Sequence, residues 1–174
     1  MIPRYSRPEM RAIWTDENKL DLWLQIEMHA TEALVKEGVV SKSDFSRMKS
    51  GANKCFADLT ALVRRQKKLE RTLNHDVIGF TTAVAEKINH KASRWLHFGL
   101  TSSDIVDTAF AVQMKQSAEL LIKDVKRLRK SIAKQAKKHN KDQELCPKYP
   151  WLRPDQKVLV EEPAIIKGNT KMSV

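Results

Sequence analysis

Residues 101–140 read TSSDIVDTAFAVQMKQSAELLIKDVKRLRKSIAKQAKKHN, and this stretch decides the fold. It holds no proline and no glycine, so nothing in it breaks a helix. Phe110, Met114, Leu121, Val125, Leu128 and Ile132 recur at steps close to multiples of three and four, the apolar seam of a bundle helix. Gly99 and the run Thr101-Ser102-Ser103-Asp104 mark a turn and an N-cap just before it, placing the turn at 97–104 and the helix from there to about Asn140. A helix of that length needs a partner along its seam. Little else in the chain can supply one, so the expected partner is sequence outside this chain or another subunit.

Working back from that helix, the chain stays helical. Thr15 is an N-cap with Asp16 and Glu17 in the first turn. Leu20, Trp23, Leu24, Ile26, Ala30, Ala33 and Leu34 then share one face up to Gly38. Ser41-Lys42-Ser43-Asp44 opens a short helix expected to close near Gly51, and another runs from about Ala57 to Glu70. Asn74-His75-Asp76 interrupts the pattern and starts a helix through Val77, Phe80, Val84 and Ile88. Residues 1–14, with Pro3 and Pro8, read as an irregular arm. The fold class is all-α. The expected divisions are an amino-terminal helical domain over 1–100, the long helix over 101–142 and an irregular tail over 143–174. In that tail four prolines replace any sustained period, and the apolar run VLV has no evident strand partner.

Composition narrows the class. At 174 residues the chain is long enough for one real core. No apolar run approaches a membrane span, and MIPRYSRPEM lacks the pattern of a signal peptide, so a cytoplasmic protein is expected. Cys55 and Cys146 read as free thiols, and no Cys/His spacing suits zinc, so no metal is expected. The net charge of +11 allows a nucleic-acid binder or an enzyme of polyanionic substrates. Much of the charge lies in KDVKRLRKSIAKQAKKHNK, residues 123–141. With no aromatic residue interleaved there, a solvated basic face is preferred to nucleic-acid binding.

Three clusters carry possible chemistry. Arg4 and Tyr5 could together grip a phosphate, or form a surface pair on the arm. Asn74-His75-Asp76 puts a proton-transferring imidazole at a helix start, where backbone amides favour an anion. The plainer alternative is that Asp76 caps the helix and His75 is a partly exposed histidine. Thr101 and Ser102, after Gly99, could hold a carboxylate with hydroxyls and amides, or could be capping residues alone. None of the three identifies an enzyme by itself.

Taken in order, these segments resemble one family. RYSRPEMRAIWTDENKLDLWLQIEMHATEAL is similar to the opening of bacterial adenylosuccinate lyases. NHDVIGFTTAVAEKI resembles their first histidine-aspartate motif, and HFGLTSSDIVDTAFAVQM their threonine-serine segment. The likeness runs from Met1 to about Asp142, and the opening segment separates it from other members of the fumarase/aspartase superfamily. It implies an all-helical homotetramer around a long central bundle, and a cofactor-free elimination of fumarate. The substrates it implies are adenylosuccinate, giving AMP, and the succinyl-carboxamide ribotide of purine synthesis. Carried over by position, Arg4 and Tyr5 hold the nucleotide phosphate, and Asn74, His75 and Asp76 line the substrate. His75, the implied catalytic residue, positions or protonates the departing nitrogen, and Thr101 and Ser102 bind a succinyl carboxylate. Many relatives have a basic residue where Asn74 stands.

Two family segments are absent: a Gly-Arg-Ser/Thr-His-Gly stretch with a second histidine, and a later flexible serine loop that supplies the base. The sequence therefore leads one to expect negligible turnover by this chain alone. The abrupt change after Asp142 suggests a one-base slip near codon 143. Trp151 is encoded TGG, and with CCA for Pro150 and a leucine codon beginning with C the shifted frame reads His-Gly. A different class of function, a non-catalytic basic helical module for nucleic acid or acidic partners, is the alternative.

Overall fold

The computed structural model describes residues 3–139, and every regular element among them is helical. Six α-helices follow in order: α1 Pro8–Ile13, α2 Asp16–Lys36, α3 Lys42–Ala57, α4 Leu59–Leu73, α5 Asp76–Ile88 and α6 Ser102–His139. Two 3-10 turns, Pro3–Tyr5 and Lys91–Trp95, complete the set. The described residues are all-α. The expectations for residues 143–174 lie outside the described residues.

Capping chemistry explains the boundaries. The Thr15 hydroxyl accepts the Asn18 N–H at 3.2 Å and starts α2, and the chain leaves that helix through Gly38 at φ 75°. Ser41 accepts the Asp44 N–H at 3.0 Å, and the Asp58 carboxylate accepts the Ala61 N–H at 2.9 Å. α4 stops at Asn74, whose left-handed φ of 51° lets its N–H reach the Glu70 carbonyl at 2.8 Å.

Three boundaries differ from the sequence reading. The arm is not irregular: it forms a 3-10 turn and then α1, with Pro8 in the first turn, where its missing N–H costs nothing. Gly51 does not end α3, which continues to Ala57. A Cβ there would lie 2.5 Å from the Ile88 Cα, so the glycine serves the close crossing of α3 over α5. α4 begins at Leu59 and ends at Leu73, three residues past Glu70, because Asn74 supplies the left-handed exit.

The chain divides into two compact units, one through Leu120 and one from Leu121. The first holds the core. Leu20, Trp23 and Leu24 of α2 meet Met48, Leu62, Phe80 and Val84, with Trp23 edge-on to Phe80 at 5.4 Å between ring centroids. Ile105 and Ala109 anchor the start of α6 to this core. The arm is tied to α6 as well: Gln113 Nε2 donates to the Ile13 carbonyl at 2.8 Å, and Trp14 Nε1 donates to Ser117 Oγ at 3.1 Å. In the second unit, described as far as His139, Leu121, Val125, Leu128 and Ile132 are exposed. No helix among the described residues is long and apolar enough to cross a membrane.

Candidate functional site

The first cluster lies in the 3-10 turn Pro3–Tyr5, where both side chains are exposed. The Arg4 guanidinium lies over the Tyr5 ring, 4.5 Å from its centroid, and donates to the phenol oxygen. That leaves the remaining guanidinium N–H groups and the phenol's own proton to turn toward an anion.

The second cluster is built by the link between α4 and α5. Asn74 takes the left-handed conformation that ends α4, so the chain reverses and His75 becomes the N-cap of α5. The cap is thus the histidine, not Asp76: His75 Nδ1 accepts the Ile78 N–H at 3.3 Å, while the Asp76 carboxylate accepts its neighbour's Val77 N–H at 2.8 Å. A ring nitrogen that accepts an N–H carries a lone pair, so the neutral ring keeps its proton on Nε2. His75 is therefore a half-buried donor at a helix start. Beneath it, buried Gln66 donates to Glu70 at 2.9 Å and to the Asp76 carbonyl at 3.4 Å, bracing the turn from α4.

The third cluster opens α6. Thr101 immediately precedes the helix, and its donors go to Asp104: the Asp104 carboxylate accepts the Thr101 N–H at 2.7 Å and the Thr101 hydroxyl at 2.9 Å. These two bonds, the backbone one first, hold the Asp104 carboxyl below its ordinary pKa. In this chain Asp104 therefore occupies both Thr101 donors that a bound carboxylate would use. The Ser102 hydroxyl makes no side-chain hydrogen bond among the described residues, and it sits half-buried at the amide-rich helix start. No hydrogen bond or ion pair among the described residues joins one cluster to another.

One pair escaped the sequence reading. Glu27 of α2 is buried, and its two oxygens accept the His97 backbone N–H at 2.8 Å and face His97 Nδ1 at 2.9 Å. A signal existed. Leu20, Trp23, Leu24, Glu27 and Thr31 form one helical stripe, and an acid in the middle of an apolar stripe requires a buried partner.

Comparison with known proteins bears on the whole described region. The sequence profile of a family described as lyase matches residues 4–142. Over 139 residues the chain is 42% identical to the adenylosuccinate lyase of Bacillus subtilis (strain 168), covering 80% of this chain and 30% of that protein. It is 40% identical over 139 residues to the adenylosuccinate lyase of Streptococcus mutans serotype c, with the same coverage of each chain. This chain thus spans well under half the length of these relatives. The matched range, 4–142, includes all three clusters, and the chain belongs to the lyase family.

Proposed function

We propose that residues 1–142 are the amino-terminal part of an adenylosuccinate lyase, a carbon–nitrogen lyase of purine and AMP biosynthesis acting in the cytoplasm as a homotetramer. The reaction eliminates fumarate from adenylosuccinate, and likewise from succinyl-aminoimidazole-carboxamide ribotide. The observation that carries the reading is His75, a ring whose proton is pinned on Nε2 at a helix start inside the lyase-like segment. In a β-elimination a base removes a proton from the succinyl carbon, the C–N bond breaks and the departing nitrogen gains a proton. His75 Nε2–H is suited to donate toward that nitrogen. Arg4 and Tyr5 take the phosphate, Asn74 and Asp76 line the substrate, and Ser102 with the α6 amides takes a carboxylate. Thr101 joins them once its hydroxyl turns away from Asp104. No cofactor is required by this chemistry.

The base and the second histidine belong to segments that these 174 residues do not contain, so this chain alone should bind nucleotide and turn over adenylosuccinate negligibly. Calorimetry with AMP tests the binding half. Removing a charge-assisted bond from Arg4 to phosphate is worth about 1.5–3 kcal/mol, so Arg4→Ala should weaken AMP binding roughly 10- to 100-fold. Binding that falls steeply with salt, extends to generic DNA and ignores Arg4→Ala would instead favour a basic module using the exposed lysines and arginines of α6.

A further inference from the structure

The Glu27–His97 pair has no part in the proposed chemistry, yet among the described residues Glu27 is the one buried carboxylate, and it reaches across the fold to a histidine. His97 sits in the left-handed region at φ 62°, a conformation that a residue with a side chain rarely adopts. Glu27 Oε2 accepts its backbone N–H and so holds that conformation in place. The Leu100 N–H then bonds the His97 carbonyl at 3.3 Å, and Thr101, the next residue, immediately precedes α6. Glu27 is thus the clamp on the turn that delivers Thr101 and Ser102.

The same carboxylate decides where the ring proton lies. An ionised carboxylate only accepts hydrogen bonds. Its second oxygen lies 2.9 Å from His97 Nδ1, so that nitrogen must be the one bearing hydrogen. We propose that Glu27 is a positioning residue that fixes neutral His97 as the Nδ1–H tautomer. The Nε2 lone pair is thereby presented as an acceptor on the turn leading into Thr101 and Ser102. The arrangement is the reverse of His75, whose Nδ1 accepts a backbone N–H and whose proton lies on Nε2. The group that His97 would take is an N–H or O–H donor, such as an amine or hydroxyl on a ligand. Identifying that ligand with a nucleotide substrate rests on the lyase reading, but the tautomer does not.

The test is a long-range proton–nitrogen correlation spectrum of the 174-residue chain labelled with 15N-histidine. It is recorded at a pH where the nitrogen shifts of the three rings are themselves those of neutral imidazole. His97 should show the Nδ1–H pattern. His75 and His90, whose Nδ1 atoms both accept backbone N–H groups, should show the Nε2–H pattern and serve as internal contrasts. Glu27→Gln keeps the shape but offers one acceptor oxygen. That oxygen remains on the His97 backbone N–H, the amide NH2 turns to Nδ1, and the ring proton moves to Nε2. An Nε2–H pattern for His97 in the unaltered chain overturns the proposal, and this spectrum decides even if the variant fails to fold. A folded Glu27→Gln variant that keeps Nδ1–H overturns it too. The expected tautomer in a chain that binds neither AMP nor adenylosuccinate would sink the lyase reading and leave this one standing.

Discussion

At Glu27 a carboxylate lies inside an apolar helix face, and two bonds to a single residue offset the cost of burying it. An alanine at position 97 keeps the backbone N–H that Glu27 accepts but loses the ring bond, and a hydrogen bond to a charged group is worth about 1.5–3 kcal/mol. His97→Ala should therefore destabilise the chain by about that much in urea unfolding. His29→Ala, at an exposed position, should stay within about 0.5 kcal/mol. Two aspartates carry a response to acid. The Asp104 carboxyl is held low by Thr101, and that of Asp16 by its hydrogen bond to Lys67. A depressed folded pKa means the contribution is present above the unfolded value, 3.8 for aspartate, and is lost as pH falls through the folded one. Unfolding midpoints should thus drop below about pH 4, and Asp104→Asn should make that drop shallower. The residue types of the three clusters were legible in the sequence. Their bonding was not, because a cap such as His75 or a clamp such as Glu27 depends on backbone angles and cross-chain distances.

Helix ends are local events, and so they could be read: Thr15, Ser41 and Gly38 each satisfy or release backbone groups within one turn. Gly51 was misread for the complementary reason. A glycine can mark a helix end or a close crossing, and only the position of Ile88 decides between them. Alanine normally stabilises a helix interior by about 1 kcal/mol over glycine. Gly51→Ala should do the opposite, losing about 1–3 kcal/mol as α3 is forced away from α5. Thr15→Ala, which removes the α2 cap, should cost about 1 kcal/mol. Thermal unfolding of the two variants beside the unaltered chain checks both signs.

At the scale of the molecule, the unit beginning at Leu121 presents an apolar stripe to solvent, with Val125 at 64% and Leu128 at 60% exposure. The seam was legible because period alone reveals it, whereas its partner was not, since α6 buries Ile105 and Ala109 against the core and leaves this stripe uncovered. If the stripe belongs to a homotetramer's bundle, sedimentation should show the chain self-associating as concentration rises. Val125→Asp with Leu128→Asp should keep it monomeric without lowering its melting temperature. The lyase reading itself is tested most directly by a chimera in which residues 4–142 replace the matching segment of the Bacillus subtilis adenylosuccinate lyase, assayed for fumarate released from adenylosuccinate. Steady release that His75→Ala lowers by at least about 100-fold, as expected for lost proton transfer, is the predicted result. A chimera that assembles and melts like its parent yet releases no fumarate would contradict the assignment.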